Sequence, residues 1–255
     1  GLQSPNNNEL AMLGRIHNYA QFLESFQMAR AAGFSNINVD LMFAIPGQSY
    51  DSWIENLQTV AALGPEHISA YSLIIEEGTP FFRKKLDLPD EDTEYRMYED
   101  VAAVLKEYDY HQYEISNYAK AGYECRHNEG YWQRKDYLGL GLGAASLLGM
   151  ERFSNTADMQ EYLKNSSAPE KIRKNRELLT REDEMAEFMF LGLRMTQGVS
   201  KKEFQEYFGT AIENIYGEVL KKYKKQGLLL EESGRIFLSR EGIHVSNAVM
   251  ADFLL

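Results

Sequence analysis

Between Asn18 and Ile75 the apolar residues change period three times, and this constrains the fold more than any other feature of the chain. From Asn18 to Ala32, Tyr19, Phe22, Leu23, Phe26 and Ala29 recur at three and four, the spacing of an amphipathic helix that ends at Gly33. Ile37, Val39, Leu41 and Phe43 then alternate with Asn38, Asp40 and Met42, as in a strand with one apolar face, up to Pro46-Gly47. Ser49 offers a cap to a second helical stripe through Trp53, Ile54, Leu57, Val60 and Ala61, and His67 to Ile75 reads as the next strand. Strands joined by single helices must run parallel, because parallel neighbours cannot be linked by a tight turn. Residues 1–75 are therefore expected to form part of a β/α barrel or an open α/β sheet.

Farther on, Thr79-Pro80 signals a helix start, Asp90 caps a longer helix through Leu105, and Tyr113 to Ile115 is a short strand. Asn117 to Asn155, rich in Gly and Tyr, is expected to be an ordered functional loop region. The charged, Ser- and Pro-containing stretch Lys164 to Arg176 is the expected boundary, giving units at 1–165 and 177–255. Past it, Thr180 to Asp183 and Ser200 to Glu203 open helices, and a third helix spans 211–226. Leu228–Leu230 and Arg235–Leu238 form a hairpin, and Ser239 caps a last helix. Helices followed by a two-stranded wing resemble a winged helix.

Composition narrows the function classes. The net charge of −11 argues against a grip on phosphate backbone, and the eight Lys/Arg after Ser200 are matched by eight Asp/Glu, so nucleic acid is not an expected partner. The longest apolar runs fall well short of the roughly 20 residues that cross a bilayer, so no membrane span is expected. Cys125 is the one cysteine; it excludes an internal disulfide framework and any three-thiolate metal site built by this chain alone, and a reducing, cytoplasmic compartment follows.

Several side chains could carry chemistry. If Ile37, Val39, Leu41 and Phe43 face helices, Asn38, Asp40 and Met42 face the barrel interior, where Asp40 could accept hydrogen bonds from ribose hydroxyls; an Asp satisfied by backbone or by a buried Arg fits the pattern equally well. Gln3 and Arg15 flank a turn at Pro5 and Asn6 to Asn8, and such groups can hold an amino group and a carboxylate or can be ordinary surface residues. His127-Asn128-Glu129-Gly130-Tyr131-Trp132 brings together an imidazole able to ligate haem iron and two aromatics suited to a porphyrin face, although packed core aromatics beside a hydrogen-bonded His explain the segment too. Gly139-Leu140-Gly141-Leu142-Gly143 lacks the spacing of a dinucleotide loop; its glycines are expected to let backbone approach backbone or a flat ligand.

The segments Gly1-Leu2-Gln3-Ser4, Gly14-Arg15-Ile16-His17, Asn38-Val39-Asp40-Leu41-Met42 with Pro46-Gly47-Gln48, Gly64 to Tyr71, Glu76 to Pro80, Tyr113 to Ala119 and Tyr137 to Gly141 occur in the order seen in a known family. Together they resemble the HemN/HemW (oxygen-independent coproporphyrinogen III oxidase-like) radical S-adenosylmethionine (SAM) family. The resemblance implies an α/β fold: the C-terminal part of a partial (β/α)6 barrel followed by a small α+β winged-helix-like domain. It implies a [4Fe–4S] cluster and SAM as cofactors of the full-length protein, with the cluster's three-cysteine loop upstream of Gly1 and with an exposed sheet edge where that part is lacking. Gln3, Arg15 and Asp40 match residues that contact SAM, and Met42 and Ile74 match neighbours of its adenosyl group. His127-Asn128-x-x-Tyr131-Trp132 is similar to the signature of the HemW branch, which implies haem or porphyrin as ligand and a haem-acceptor protein as partner. The same resemblance leaves open a coproporphyrinogen III dehydrogenase and a non-catalytic interaction module; it assigns no catalytic residue and no metal ligand within this chain.

Overall fold

Asn18 and Gln21 close a reciprocal capping box, and this fixes where α2 (Tyr19–Ala31) begins, after a short α1 (Asn7–Met12) capped by Asn6. The segment read as a turn from Pro5 to Asn8 thus holds a helix N-terminus, since the Asn6 side chain accepts from Asn8 N–H. The computed structural model describes Gly1–Leu255 and forms two units, Gly1–Cys125 and Arg126–Leu255.

In the first unit β1 (Asn38–Phe43), α3 (Tyr50–Ala62) and β2 (His67–Ser72) make the expected crossover, with β1 and β2 parallel and Asn38 opposite His67. Period two decides the faces: Val39, Leu41, Phe43, Ile68 and Ala70 are buried in one core with Trp53, Leu57 and Val60 of α3 and Met97, Val101 and Leu105 of α4 (Glu91–Lys106). Asn38, Asp40, Met42, His67, Ser69 and Tyr71 share the opposite face, as the alternation predicts. On the free side of β1, Gln3 pairs in parallel with Leu41 as an isolated bridge.

Two elements depart from expectation. Thr79-Pro80 leads into a single 3-10 turn, Phe81–Arg83, because Lys84 is already extended. The strand near Tyr113 is half of a hairpin, β3 (His111–Glu114) and β4 (Asn117–Ala119), and β4 joins β2 antiparallel, giving the order β1-β2-β4-β3. The sheet is mixed and does not close.

The second unit opens with α5 (Arg126–Trp132) and a three-stranded antiparallel sheet of β5 (Ala145–Leu148), β6 (Glu151–Asn155) and β7 (Arg173–Leu178), with α6 (Met159–Asn165) and α7 (Pro169–Ile172) between β6 and β7. The region expected to be loop from Asn117 to Asn155 therefore contains a strand, a helix and a hairpin, with connections at 120–125 and 133–144. Lys164 to Arg176, expected as a boundary, runs through α7 and β7; its charges are engaged in pairs such as Arg173–Glu170 at 2.9 Å, Lys174–Glu161 at 2.6 Å and Arg176–Glu151 at 2.6 Å.

α8 (Arg181–Gly192) starts at a Thr180–Asp183 capping box. It is followed by β8 (Val199–Ser200), α9 (Lys201–Phe208), α10 (Ile212–Lys225), the hairpin β9 (Leu229–Glu232) and β10 (Arg235–Leu238), and α11 (Arg240–His244) and α12 (Ser246–Ala251). Phe204 and Phe208, one turn apart on α9, meet with tilted rings at 4.7 Å between centroids, and Phe204 meets Tyr216 of α10, which meets Phe253. This aromatic column supports the wing, to which β8 adds a third strand that the sequence did not reveal.

Candidate functional sites

The polar face of the first sheet gathers Gln3, Asp40 and Met42. Gln3 N–H donates to Asp40 O at 2.8 Å and Met42 N–H donates to Gln3 O at 2.8 Å, so the backbone lays these three residues side by side. Gln3 adopts φ 72°, a left-handed conformation uncommon for a non-glycine residue. Asp40 is partly buried, and its Oδ1 accepts from Asn38 Nδ2 at 2.7 Å. Arg15 lies in the loop after α1 with an exposed guanidinium, and Ile74, in the loop after β2, is 77% exposed. The other carboxylate oxygen makes no side-chain hydrogen bond and, beside the Met42 thioether, can accept from hydroxyl or amino donors.

Behind Asp40 stands a network that sequence reasoning missed. Asn38 Oδ1 is 2.7 Å from His67 Nδ1 and 3.3 Å from Ser69 Oγ; His67 Nε2 is 2.8 Å from the Tyr113 hydroxyl, which accepts the Cys125 N–H at 3.2 Å. Burial of the imidazole pulls the His67 pKa down to about 4, against the opposing pull of Asp40 and Glu124. The signal was available: His67, Ser69 and Tyr71 alternate with Ile68 and Ala70, so His67 had to share a face with Asp40.

A second missed cluster centres on Glu9 of α1, a buried carboxylate with no cation nearby. It accepts from Ser4 Oγ at 2.6 Å, Ser52 Oγ at 2.7 Å, Asn56 Nδ2 at 2.7 Å and Gln48 Nε2 at 3.0 Å. These donors tie the Gln3 segment and the Pro46-Gly47-Gln48 loop to α3, which fixes the frame on which Gln3 and Asp40 sit.

In the second unit α5 distributes the residues of its His-Asn-x-x-Tyr-Trp segment over different surroundings. His127 and Tyr131, one turn apart, meet edge to face at 4.6 Å, and Tyr131 meets Tyr137 in the same way at 4.6 Å. They line a cavity of about 530 Å³ together with Leu138, Gly139, Leu140 and Ala145. Leu138 and Leu140 are exposed, and the His127 imidazole meets no hydrogen-bond partner. Trp132 instead lines a separate cavity of about 860 Å³ beside Arg134, Lys135, Phe188 and Tyr207, and Asn128 lines neither.

The loop next to His127 is held rigidly. Asn155 Nδ2 donates to Gly139 O at 3.1 Å and to Gly141 O at 2.9 Å, and Ser146 Oγ accepts Gly139 N–H at 2.9 Å. A Cβ on Gly139 would fall 2.2 Å from Ala145 O, so this glycine is there for close backbone approach.

Among the curated relatives that match over the entire chain are two called heme chaperone HemW. That of Bacillus subtilis is 37% identical over 258 residues and that of Lactococcus lactis 36% over 259, this chain covering 68% of each. The chain belongs to the HemW-type radical SAM family. Residues 179–245 match the HemN C-terminal domain, which takes in α8 to α11 and the wing. The solved structure of coproporphyrinogen III oxidase (HemN) from Escherichia coli, a radical SAM enzyme, resembles all of this chain with a TM-score of 0.82, over 63% of its own length. At 18% identity that likeness speaks for the fold, and it agrees with the mixed, unclosed sheet of the first unit. The HemW-type family brings SAM and a [4Fe–4S] cluster with it; Cys125, alone, does not supply three thiolates to such a cluster. No helix is long and apolar enough to cross a membrane.

Proposed function

We propose that the protein binds haem at the α5 cavity of its second unit and, as a cytoplasmic HemW-type carrier, passes it to an acceptor protein. The observation that carries this reading is the His127 imidazole: exposed, without a hydrogen-bond partner, and held edge-on to Tyr131 at a cavity of about 530 Å³. An imidazole free of protein partners can ligate iron, and the cavity lies in the size range of small-molecule sites. Leu138 and Leu140 offer apolar contact to a macrocycle, while Tyr131 and Tyr137 supply aromatic walls. Trp132, at the end of the helix that carries His127, lies under the Arg194 guanidinium, and Asn128 sits on the same helix.

In the first unit Asp40, Gln3 and Arg15 are proposed to hold the ribose, the amino group and the carboxylate of SAM, with Met42 and Ile74 against the adenosyl group. In the full-length protein these residues would bind and orient SAM, which at a reduced cluster would supply a 5′-deoxyadenosyl radical.

The test is an anaerobic haemin titration of the full-length protein followed at the Soret band. Saturable binding that weakens about tenfold or more in His127→Ala is expected. Absence of saturable binding in the wild type, or an unchanged affinity in the variant, overturns the site.

A further inference from the structure

Asp40 fixes the position of every proton in the network behind it. Its carboxylate only accepts, so Asn38 must turn its amide Nδ2 toward Asp40 Oδ1, at 2.7 Å. Asn38 Oδ1 then faces His67 Nδ1 at 2.7 Å and, being an acceptor, requires that Nδ1 carry the proton. The neutral ring's other nitrogen, Nε2, accepts from the Tyr113 hydroxyl at 2.8 Å, and the phenolic oxygen is left to accept the Cys125 N–H. Donors and acceptors alternate without a conflict from β3 to β1. The imidazole is 4% exposed, so the network is anchored at its buried end and reaches a partly exposed carboxylate at the other.

Asn38 and His67 face each other directly across the parallel β1–β2 pair, and Ser69, opposite Asp40, adds a second donor to Asn38 Oδ1 at 3.3 Å. Rotation of the Asn38 amide would set its oxygen against the Asp40 carboxylate and its NH2 against the Nδ1 proton, so the arrangement has one stable setting. Asp40 is thereby held by Oδ1, with Oδ2 turned away from the network.

We infer that His67 and Asn38 are positioning residues for Asp40, holding its carboxylate so that Oδ2 is presented to the vicinal hydroxyls of a ribose. The inference rests on the proposed role of Asp40 in binding the adenosyl ligand. Neither residue touches that ligand; both act through Asp40.

The test compares binding of S-adenosylhomocysteine and of its 2′,3′-dideoxy analogue to the full-length protein by calorimetry. The ratio of the two affinities isolates the hydroxyl contacts. A wild-type ratio of roughly tenfold or more is expected for hydrogen bonds to a carboxylate. Asn38→Ala and His67→Ala should lower that ratio to about threefold or less while leaving the dideoxy affinity within about twofold, and His67→Asn, which keeps a donor near the Nδ1 position, should restore it. A ratio that collapses in Asp40→Ala but stays at the wild-type value in Asn38→Ala and His67→Ala overturns the positioning role and leaves Asp40 as the ribose contact. A ratio unaffected by Asp40→Ala overturns both. Independently of any variant, a long-range proton–nitrogen spectrum should show His67 protonated at Nδ1; protonation at Nε2 alone would contradict the network.

Discussion

The guanidinium of Arg194 lies over the indole of Trp132, 4.3 Å from the ring centroid, and the indole Nε1 is buried without a hydrogen-bond partner. α5 is thereby pinned by a cation–π contact at its last residue. Trp132→Leu, which keeps apolar bulk and loses that contact, is expected to lower the urea stability of the protein by about 1 kcal/mol. Haemin affinity should shift far less than in His127→Ala; an equal loss would mean that Trp132 faces the haem itself.

Glu9 is expected to matter more than its place in an asparagine-rich turn suggests. Glu9→Ala strands four donors, from Ser4, Gln48, Ser52 and Asn56, in the interior. The expected cost is about 3 kcal/mol, from hydrogen bonds to a charged acceptor, with faster amide exchange at the start of α3. Urea titration and hydrogen exchange measure both, and a loss below about 1 kcal/mol would show that water replaces the carboxylate.

The depressed pKa of His67 makes stability depend on pH. The unfolded imidazole titrates near 6.5 and the folded one near 4, so between those values the unfolded chain binds the extra proton. Stability is therefore full above pH 6.5 and falls as pH drops toward 4. Between pH 7 and pH 5 the wild type should lose about 2 kcal/mol more than His67→Asn. Parallel pH profiles for the two proteins would refute the shift.

Glu187 of α8 is buried and joins two arginines, Arg134 Nε at 2.7 Å and Arg152 Nη2 at 2.5 Å. Arg134 also pairs with Glu184 at 3.0 Å and is mostly buried. Glu187→Ala, which leaves Arg134 short of its main partner, should destabilise the protein by about 3 kcal/mol, whereas Arg152→Met, at a side chain 38% exposed, should cost about 1 kcal/mol. Equal urea midpoints for the two variants would place the stability elsewhere.

What could be read from the residues divides along physical lines. Caps are local, and so Asn18, Ser49, Asp90, Thr180, Ser200 and Ser239 each mark a helix start within a residue. Strands with one buried face announce themselves by alternation, as β1 does. β7 could not be read this way: Arg173 to Leu178 is solvated on both faces and paired to β6 along one edge, so its Arg-Lys-Asn-Arg-Glu run looks like a linker. Glu9 stands three residues after the Asn6 cap, a pattern that normally sends the Glu side chain back to the cap; here the partners come from residues 39 to 47 positions away as well as from Ser4, and no local pattern encodes them. The family resemblance pointed to Asp40 and His127, but not to the residues that hold Asp40 in place or to the division of the α5 segment between two cavities.

The clamp that Asn155 applies to Gly139 and Gly141 has a consequence for whatever meets Leu138 and Leu140. Two leucines on a free loop would have to be ordered by their guest, at a cost in conformational entropy of roughly 1–2 kcal/mol for each backbone residue fixed. Here Asn155 of β6 already ties the loop backbone at Gly139 and Gly141. The apolar surface of the two leucines is a shelf at fixed height beside His127, and release of a flat guest need not wait for a loop to unfold.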